Sequence, residues 1–173
     1  MPIADKKQIS ALLDKLAAEI KSAVPTESLI LVGIQRRGVF LAQRLGERLE
    51  KLCAHKISQG VLDITFYRDD LSMIAQHPVV HSTDFPEDIN GRDIVLVDDV
   101  LFTGRTVKSA LGVLSDYGRA KSVKLAVLVD RGWREMPIAA DFVGLKVQTK
   151  YDEEVCVNLE ELDGEDSVEV VPK

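Results

Sequence analysis

Cysteine is scarce in this chain, two residues in 173, and neither Cys53 nor Cys156 sits in a patterned spacing. That excludes a disulfide-stapled scaffold and a thiolate metal knuckle, and it reads as two reduced thiols in a cytoplasmic protein. Histidine is equally sparse. His77 and His81 stand four apart, but Pro78 interrupts a stretch with no helical period, so with His55 they read as solvated or structural residues and not as a ligand set. No apolar run is long enough to cross a bilayer, and the opening MPIADKK lacks the apolar core of a secretory signal. Nucleotide-binding signatures are missing too. No GxGxxG follows a strand, and the one Walker A spacing, Gly33 to Gly38, continues with Val39 and Phe40 instead of Lys and Ser/Thr. Positive charge is in deficit, 22 Lys and Arg against 28 Asp and Glu, which argues against a dedicated nucleic-acid binder. What remains, 46% apolar and 29% charged residues, describes a globular chain; residues 1–173 are expected to form one domain with room for a real core.

Hydrophobic period orders the chain. Asp5 with Gln8 three residues on marks a helix start, and Ile9, Leu12, Leu13, Leu16 and Ile20 form one apolar stripe that ends at Pro25. LILVGI (Leu29 to Ile34) reads as a buried strand, Gly38 to Leu52 as a helix, and VLDITFY (Val61 to Tyr67) as another strand. The Ile94 strand comes next, followed by a helix from Thr106 to about Tyr117 closed by Gly118. Ser122 to Asp130, Asp141 to Val147 and Glu154 to Leu162 complete the strands. Strands alternating with helices predict an α/β fold with a mainly parallel sheet flanked by helices. Residues 68–92 break the regularity with two prolines and no sustained period, and a loop this long inside a domain reads as a flexible lid.

The densest chemistry lies in IVLVDDVLFTGRT (Ile94 to Thr106). Four apolar residues lead to Asp98 and Asp99, and a turn with Thr103, Gly104, Arg105 and Thr106 then opens a helix. Ligands of open α/β sheets bind beyond the carboxyl ends of strands. A tight glycine turn at a helix N-terminus gathers N–H groups into an anion site, to which the threonine hydroxyls and Arg105 add donors. Adjacent carboxylates repel phosphate but accept hydrogen bonds from vicinal hydroxyls. The combination implies a ligand with a phosphate at one end and a diol at the other, which a phosphorylated ribose fits. Gln35, Arg36, Arg37 and Gly38 occupy the same strand-to-helix position earlier in the chain, where two arginines and helix amides suit a highly charged anion, or else form a surface pair.

IVLVDDVLFTGRT resembles the phosphoribosyl diphosphate (PRPP) motif of type I phosphoribosyltransferases. The likeness extends through LDITFYRDDLS (Leu62 to Ser72), LAVLVDRGWREMPIAADFVG (Leu125 to Gly144) and VCVNLEELDGEDSV, which resemble the bifunctional pyrimidine operon attenuator and uracil phosphoribosyltransferase family, PyrR. The resemblance implies the type I fold with a small hood and a lid, and transfer of phosphoribose from PRPP to uracil, giving UMP and diphosphate. It also implies UMP- or UTP-responsive binding of pyr leader RNA that promotes transcription attenuation. A transferase without RNA binding and a purine phosphoribosyltransferase are the alternatives. Asp98 and Asp99 are then the catalytic pair, and Leu101, Phe102, Thr103, Gly104, Arg105 and Thr106 the 5′-phosphate cradle. Arg36, Arg37 and Gly38, with unusual backbone geometry at Gly38, would meet pyrophosphate, and Arg68 is either a lid residue that joins them or a solvated loop arginine. DFVG is similar to a purine-enzyme motif whose aromatic stacks on the base, so Phe142 and Val143 become the base pocket beside Asp130, unless Phe142 is a core aromatic. Those purine enzymes carry lysine where Asp130 stands, which points away from a purine. The family has histidine where this chain has Trp133, a loop residue that either caps the ligand or anchors an interface. Mg²⁺ is implied as bound through PRPP, with no side chain assigned to it, and a homodimer or higher homo-oligomer is implied as the assembly.

Charge is unevenly spread. Residues 1–60 carry ten basic and six acidic groups, a surplus of four positive charges; residues 141–173 carry three basic and ten acidic groups, a surplus of seven negative ones. A basic face on the N-terminal half keeps RNA contact open.

Overall fold

The computed structural model describes residues 2–65 and 83–173; Arg68, most of the expected lid, His77 and His81 lie outside the described residues. A two-residue strand, β1 (Ala4–Asp5), leads into α1 (Lys6–Ala23). The Asp5 carboxylate accepts the Gln8 N–H at 2.8 Å and the Gln8 side chain accepts the Asp5 N–H at 2.9 Å, a reciprocal cap that fixes where the helix starts. Five parallel strands then build the sheet in the order β3-β2-β4-β5-β6. They are β2 (Leu29–Ile34), β3 (Ser58–Leu62), β4 (Asp93–Leu101), β5 (Ser122–Asp130) and β6 (Phe142–Lys146). All six residues of β2 are buried, as a strand covered on both faces requires. One face packs Val95 and Val97 against α1 and α2 (Arg37–Cys53); the other packs Ile94 and Leu96 against α3 (Arg105–Tyr117). Every parallel strand therefore ends on the same edge of the sheet.

The C-terminal segment adds β7 (Glu153–Asn158), α4 (Glu160–Asp163) and β8 (Ser167–Pro172). β1, β8 and β7 pair antiparallel in a separate small sheet, which is the hood. Val155, Val157, Leu159 and Val168 join the α1/α2 core, so the hood is welded to the sheet domain by apolar packing.

Three boundaries differ from the sequence reading. β3 covers Ser58–Leu62 and stops where its partner β2 stops, with Leu62 opposite Ile34; of the strand expected over Val61 to Tyr67, Asp63, Ile64 and Thr65 lie past its end, and Phe66 and Tyr67 lie outside the described residues. β4 runs through Asp98 and Asp99 to Leu101, held by pairing of Val100 with Val129 and Leu101 with Asp130. The strand expected over Glu154 to Leu162 ends at Asn158. Asp163 N–H then bonds back to the Leu159 carbonyl at 2.7 Å, forming a helical turn. β8 has no counterpart in the sequence reading.

The uneven charge has a structural destination. On α2, Arg44 binds Glu161 and Asp166, Arg37 binds Asp163, and from α1 Lys6 binds Glu160. Basic N-terminal helices and the acidic C-terminal segment thus form one seam between sheet domain and hood. The Arg44 guanidinium is held charged by its hydrogen bonds to Asp166, while Arg44 in turn keeps the Glu161 carboxyl below its ordinary range.

Candidate active site

Asp98 and Asp99 lie in β4 near the edge where the parallel strands end. Each holds the next backbone N–H through one carboxylate oxygen: Asp99 N–H to Asp98 Oδ1 at 2.9 Å, and Val100 N–H to Asp99 Oδ1 at 2.9 Å. Asp98 is only 7% exposed. Burial pushes its carboxyl well above the ordinary range, and the neighbouring charge of Asp99 adds to the shift. Two acids are thus kept side by side at a cost in stability, a mark of function over packing.

Beyond Leu101, whose side chain is buried and whose carbonyl accepts the Arg131 N–H, the chain turns at Phe102–Gly104 into α3. Gly104 takes φ +92°, a left-handed geometry in which a side chain is strained. Thr103 Oγ1 accepts the Arg105 N–H at 3.3 Å, and the N-cap residue, Gly104, has no side chain to take another. The remaining first-turn amides, with Thr106 beside them, suit an anion. Within the expected cradle, Leu101 belongs to the strand, Phe102 lies under the Arg131 guanidinium at 3.9 Å, and Arg105 turns its Nε to Glu135 at 2.8 Å.

The start of α2 forms the facing wall, and the Gln35–Arg36 peptide that leads into it is cis. Gly38 sits inside the helix with no unusual φ, which corrects the expectation of special backbone geometry there. Its glycine is required for a different reason. A Cβ at Gly38 would fall on the carbonyl oxygen of Val97 and close to Asp98 Cα, so the helix can approach β4 only without one. That close approach brings Gln35, Arg36 and Arg37 to an open cavity of about 400 Å³ that Asp98, Asp99 and Thr106 also line.

Asp63, Ile64 and Thr65, just past β3, complete this cavity and were not singled out from the sequence. Asp63 is 8% exposed; its Oδ1 accepts the Thr65 N–H at 2.8 Å and the Thr65 hydroxyl at 2.5 Å, while its buried Oδ2 has no partner among the described residues. One signal was available: an acid placed at the end of a strand that pairs with β2 must face the same edge as Asp98.

The base pocket expected around Phe142 does not form. Phe142 opens β6 opposite Ala126, far from the strand ends, and is 5% exposed within the α1-side core. Val143 packs under α3, and its carbonyl accepts Lys15 Nζ at 3.1 Å. Asp130 ends β5 on the right edge, but it is bound to Arg134 Nη2 at 2.6 Å and to the Gly132 N–H at 3.0 Å. A cavity of about 720 Å³ does open at that edge, between residues 130–133 and 146–149. Trp133 forms one wall, in a left-handed backbone (φ +64°), with its indole N–H on the Thr149 carbonyl at 2.9 Å and its ring edge-to-face with Tyr151.

Among the described residues, no group of three or more His, Cys, Asp or Glu side chains could enclose a metal ion. Asp63, Asp98 and Asp99 in one cavity, with the orphaned Asp63 Oδ2, instead suit Mg²⁺ that keeps its waters and arrives on a phosphorylated ligand.

A family model described as the phosphoribosyl transferase domain matches residues 2–163. Proteins named bifunctional protein PyrR are similar over nearly the whole chain. The one from Elusimicrobium minutum is 48% identical, covering 99% of this chain and 96% of its own, and the one from Caldicellulosiruptor bescii is 52% identical, covering 96% and 92%. Among solved structures, the hypoxanthine phosphoribosyltransferase of Staphylococcus aureus superposes with TM-score 0.73 at 19% identity over 99% of this chain and 91% of its own. That of Trypanosoma cruzi gives 0.73 at 16% identity over 100% and 97%. At those identities the structures establish a shared fold and nothing about the base. Sheet order, paired acids, uncapped helix and relatives agree: the chain belongs to the phosphoribosyltransferase domain family, among the PyrR proteins.

Proposed function

We propose that this protein transfers the phosphoribosyl group of PRPP to uracil, releasing diphosphate, and that the same pocket senses UMP or UTP to regulate pyrimidine operon expression through leader RNA. The observation that carries the reading is the juxtaposition of the Asp98–Asp99 pair with the uncapped N-terminus of α3, which suits a diol and a phosphate at the two ends of one ligand. As the C1–O bond breaks, positive charge grows on the ribose ring and negative charge on the leaving group, so catalysis needs placed charges and no nucleophilic side chain. Asp98 and Asp99 hold the ribose hydroxyls and favour the cationic ring. Amides and hydroxyls from Thr103 to Thr106 hold the 5′-phosphate, and Arg36 and Arg37 take the diphosphate. Mg²⁺ bound through PRPP supplies additional charge neutralisation on the leaving group. The base enters the cavity between residues 130–133 and 146–149, replacing the site first expected at Phe142 and Val143.

Diphosphate release measured with uracil and hypoxanthine in turn tests the substrate. Turnover with hypoxanthine alone would support the purine alternative. Asp99→Asn is expected to lower kcat by about 10²–10³, or about 3–4 kcal/mol, with folding intact. Near-parent turnover in that variant would refute the role.

The regulatory half predicts leader-RNA binding that strengthens with UMP and weakens steeply with salt, read in a gel-shift titration. No binding at any ionic strength would leave the transferase alone. A cytoplasmic homodimer or higher oligomer is the assembly we propose, and sedimentation measures it.

A further inference from the structure

The two arginines at the start of α2 are held differently. Arg36 is exposed and makes no ion pair among the described residues, whereas Arg37 is gripped from across the crevice by the hood. Asp163 accepts from Arg37 Nη2 through both oxygens, at 3.0 and 3.2 Å. We propose that Asp163 is a positioning residue: a hood carboxylate that fixes one nitrogen of Arg37 so that the remaining guanidinium donors meet the diphosphate of the sugar donor. This rests on the reading of the crevice as a PRPP site.

The acceptor is itself immobile. Asp163 Oδ2 accepts the Leu159 N–H at 2.9 Å, its own N–H bonds the Leu159 carbonyl at 2.7 Å, and Gly164 closes the turn in a left-handed conformation (φ +78°). Arg44 bolts the same segment to α2. A contrast with Arg44 shows that Arg37 is more than a second bolt. Arg44 spends Nε, Nη1 and Nη2 together on Glu161 and Asp166, the full fork of a structural guanidinium. Arg37 spends Nη2 alone, while its Nε–H is buried with no partner among the described residues. Arg37 lines the cavity and leaves its second terminal nitrogen, Nη1, uncommitted among the described residues, so an anionic ligand there can complete the guanidinium's hydrogen bonding. Holding one end of a long side chain also removes rotamer freedom before the ligand arrives, so less is lost on binding.

The test uses the full chain and inorganic pyrophosphate with Mg²⁺, followed by calorimetry, so that no nucleobase is involved. Asp163→Ala is expected to weaken pyrophosphate binding about tenfold and to raise KM for PRPP in step, with KM for uracil unchanged. Asp163→Asn keeps an oxygen for Nη2 and is expected to stay within about threefold of the parent. Arg44→Ala loosens the same hood without touching Arg37 and should bind pyrophosphate at the parent level. Binding by Asp163→Ala as tight as the parent's or tighter overturns the inference, because the carboxylate would then compete with the ligand. An equal loss in Arg44→Ala overturns it as well, since any loosening of the hood would suffice. If Asp163→Ala does not fold, Asp163→Glu, with its carboxylate one methylene further out, takes its place: weaker binding than Asp163→Asn supports positioning, and parent-level binding overturns it. A parent that binds no pyrophosphate overturns the crevice reading itself, a result distinct from a parent that binds while the ranking fails.

Discussion

Replacing Gly38 with alanine tests whether the site depends on how closely α2 approaches β4. The new Cβ would meet three backbone atoms: the Val97 carbonyl oxygen and carbon, and Asp98 Cα. None can rotate away as a side chain would, so the helix start must retreat by about 1 Å to restore ordinary contact in a close-packed interior. Two terms oppose each other in stability. Alanine gains at most about 1 kcal/mol in helix propensity over glycine, less in the first turn. Overpacking against backbone costs about 1–3 kcal/mol, and it wins, leaving a net loss of about 1–2 kcal/mol. At this chain length that lowers Tm by about 2–8 °C. The functional cost is larger, because Arg36 and Arg37 retreat from Asp98 and Asp99 together with the helix. A misplacement of about 1 Å can cost about 10² in rate. Gly38→Ala should therefore lose about 10² in kcat/KM for PRPP while remaining mostly folded at 25 °C, read by steady-state kinetics beside a thermal melt. Parent-level kcat/KM with an unchanged Tm would refute the reasoning, since the helix would then have slack that the geometry denies it.

Two further substitutions separate stability from chemistry. In Asp98 the folded-state carboxyl titrates above its unfolded value because burial and Asp99 disfavour the charged form. The group therefore favours the fold below its unfolded pKa of about 3.9, and that contribution is lost as pH rises through the raised folded value. Asp98→Asn should accordingly melt above the parent at neutral pH, with the gain shrinking as pH falls toward 4, and should be severely impaired in turnover; a variant less stable than the parent at pH 7 would contradict the sign. Phe142→Ala, by contrast, should cost about 3–5 kcal/mol as a core truncation and leave KM for uracil unchanged in the protein that folds. A selective rise in that KM would restore the stacking role the structure denies.

Local signals carried much of the fold. β2 has the bounds its apolar run implies, because a strand covered on both faces needs every residue apolar. The start of α1 follows from Asp5 and Gln8, whose reciprocal bonds are made within three residues. The Asp98-to-Thr106 segment was legible for the same reason: strand end, acids, glycine turn and helix start are contiguous in sequence. What failed depends on register between distant segments. Asp63 enters the cavity only because β3 pairs in parallel with β2 and ends where it ends. DFVG looks like a base-binding motif by its letters, yet pairing of Phe142 with Ala126 and of Lys146 with Asp130 puts the aromatic deep in the sheet and leaves the later residues at the functional edge. Composition does not encode that offset.

The polarity between the two ends of the chain was visible in the sequence, but its partner was not. Basic residues in the first sixty positions suggested a face for RNA. Of those ten, Lys6, Arg37 and Arg44 are paired with acids from the C-terminal segment, Arg48 with Asp14 and Lys15 with Glu19. Five of the ten are left, so phosphate contacts from this half are bounded at about five and the slope of log K against log salt at about −4. The same arithmetic gives the acidic tail a reason to exist. Without Glu160, Glu161, Asp163 and Asp166, Arg37 and Arg44 would lose the acids that neutralise them, and the hood would lose the ion pairs that join it to α1 and α2. The charge imbalance is therefore best understood as two complementary halves of an internal joint, and one bond of that joint, Arg37 to Asp163, reaches the wall of the crevice where the chemistry is proposed to occur.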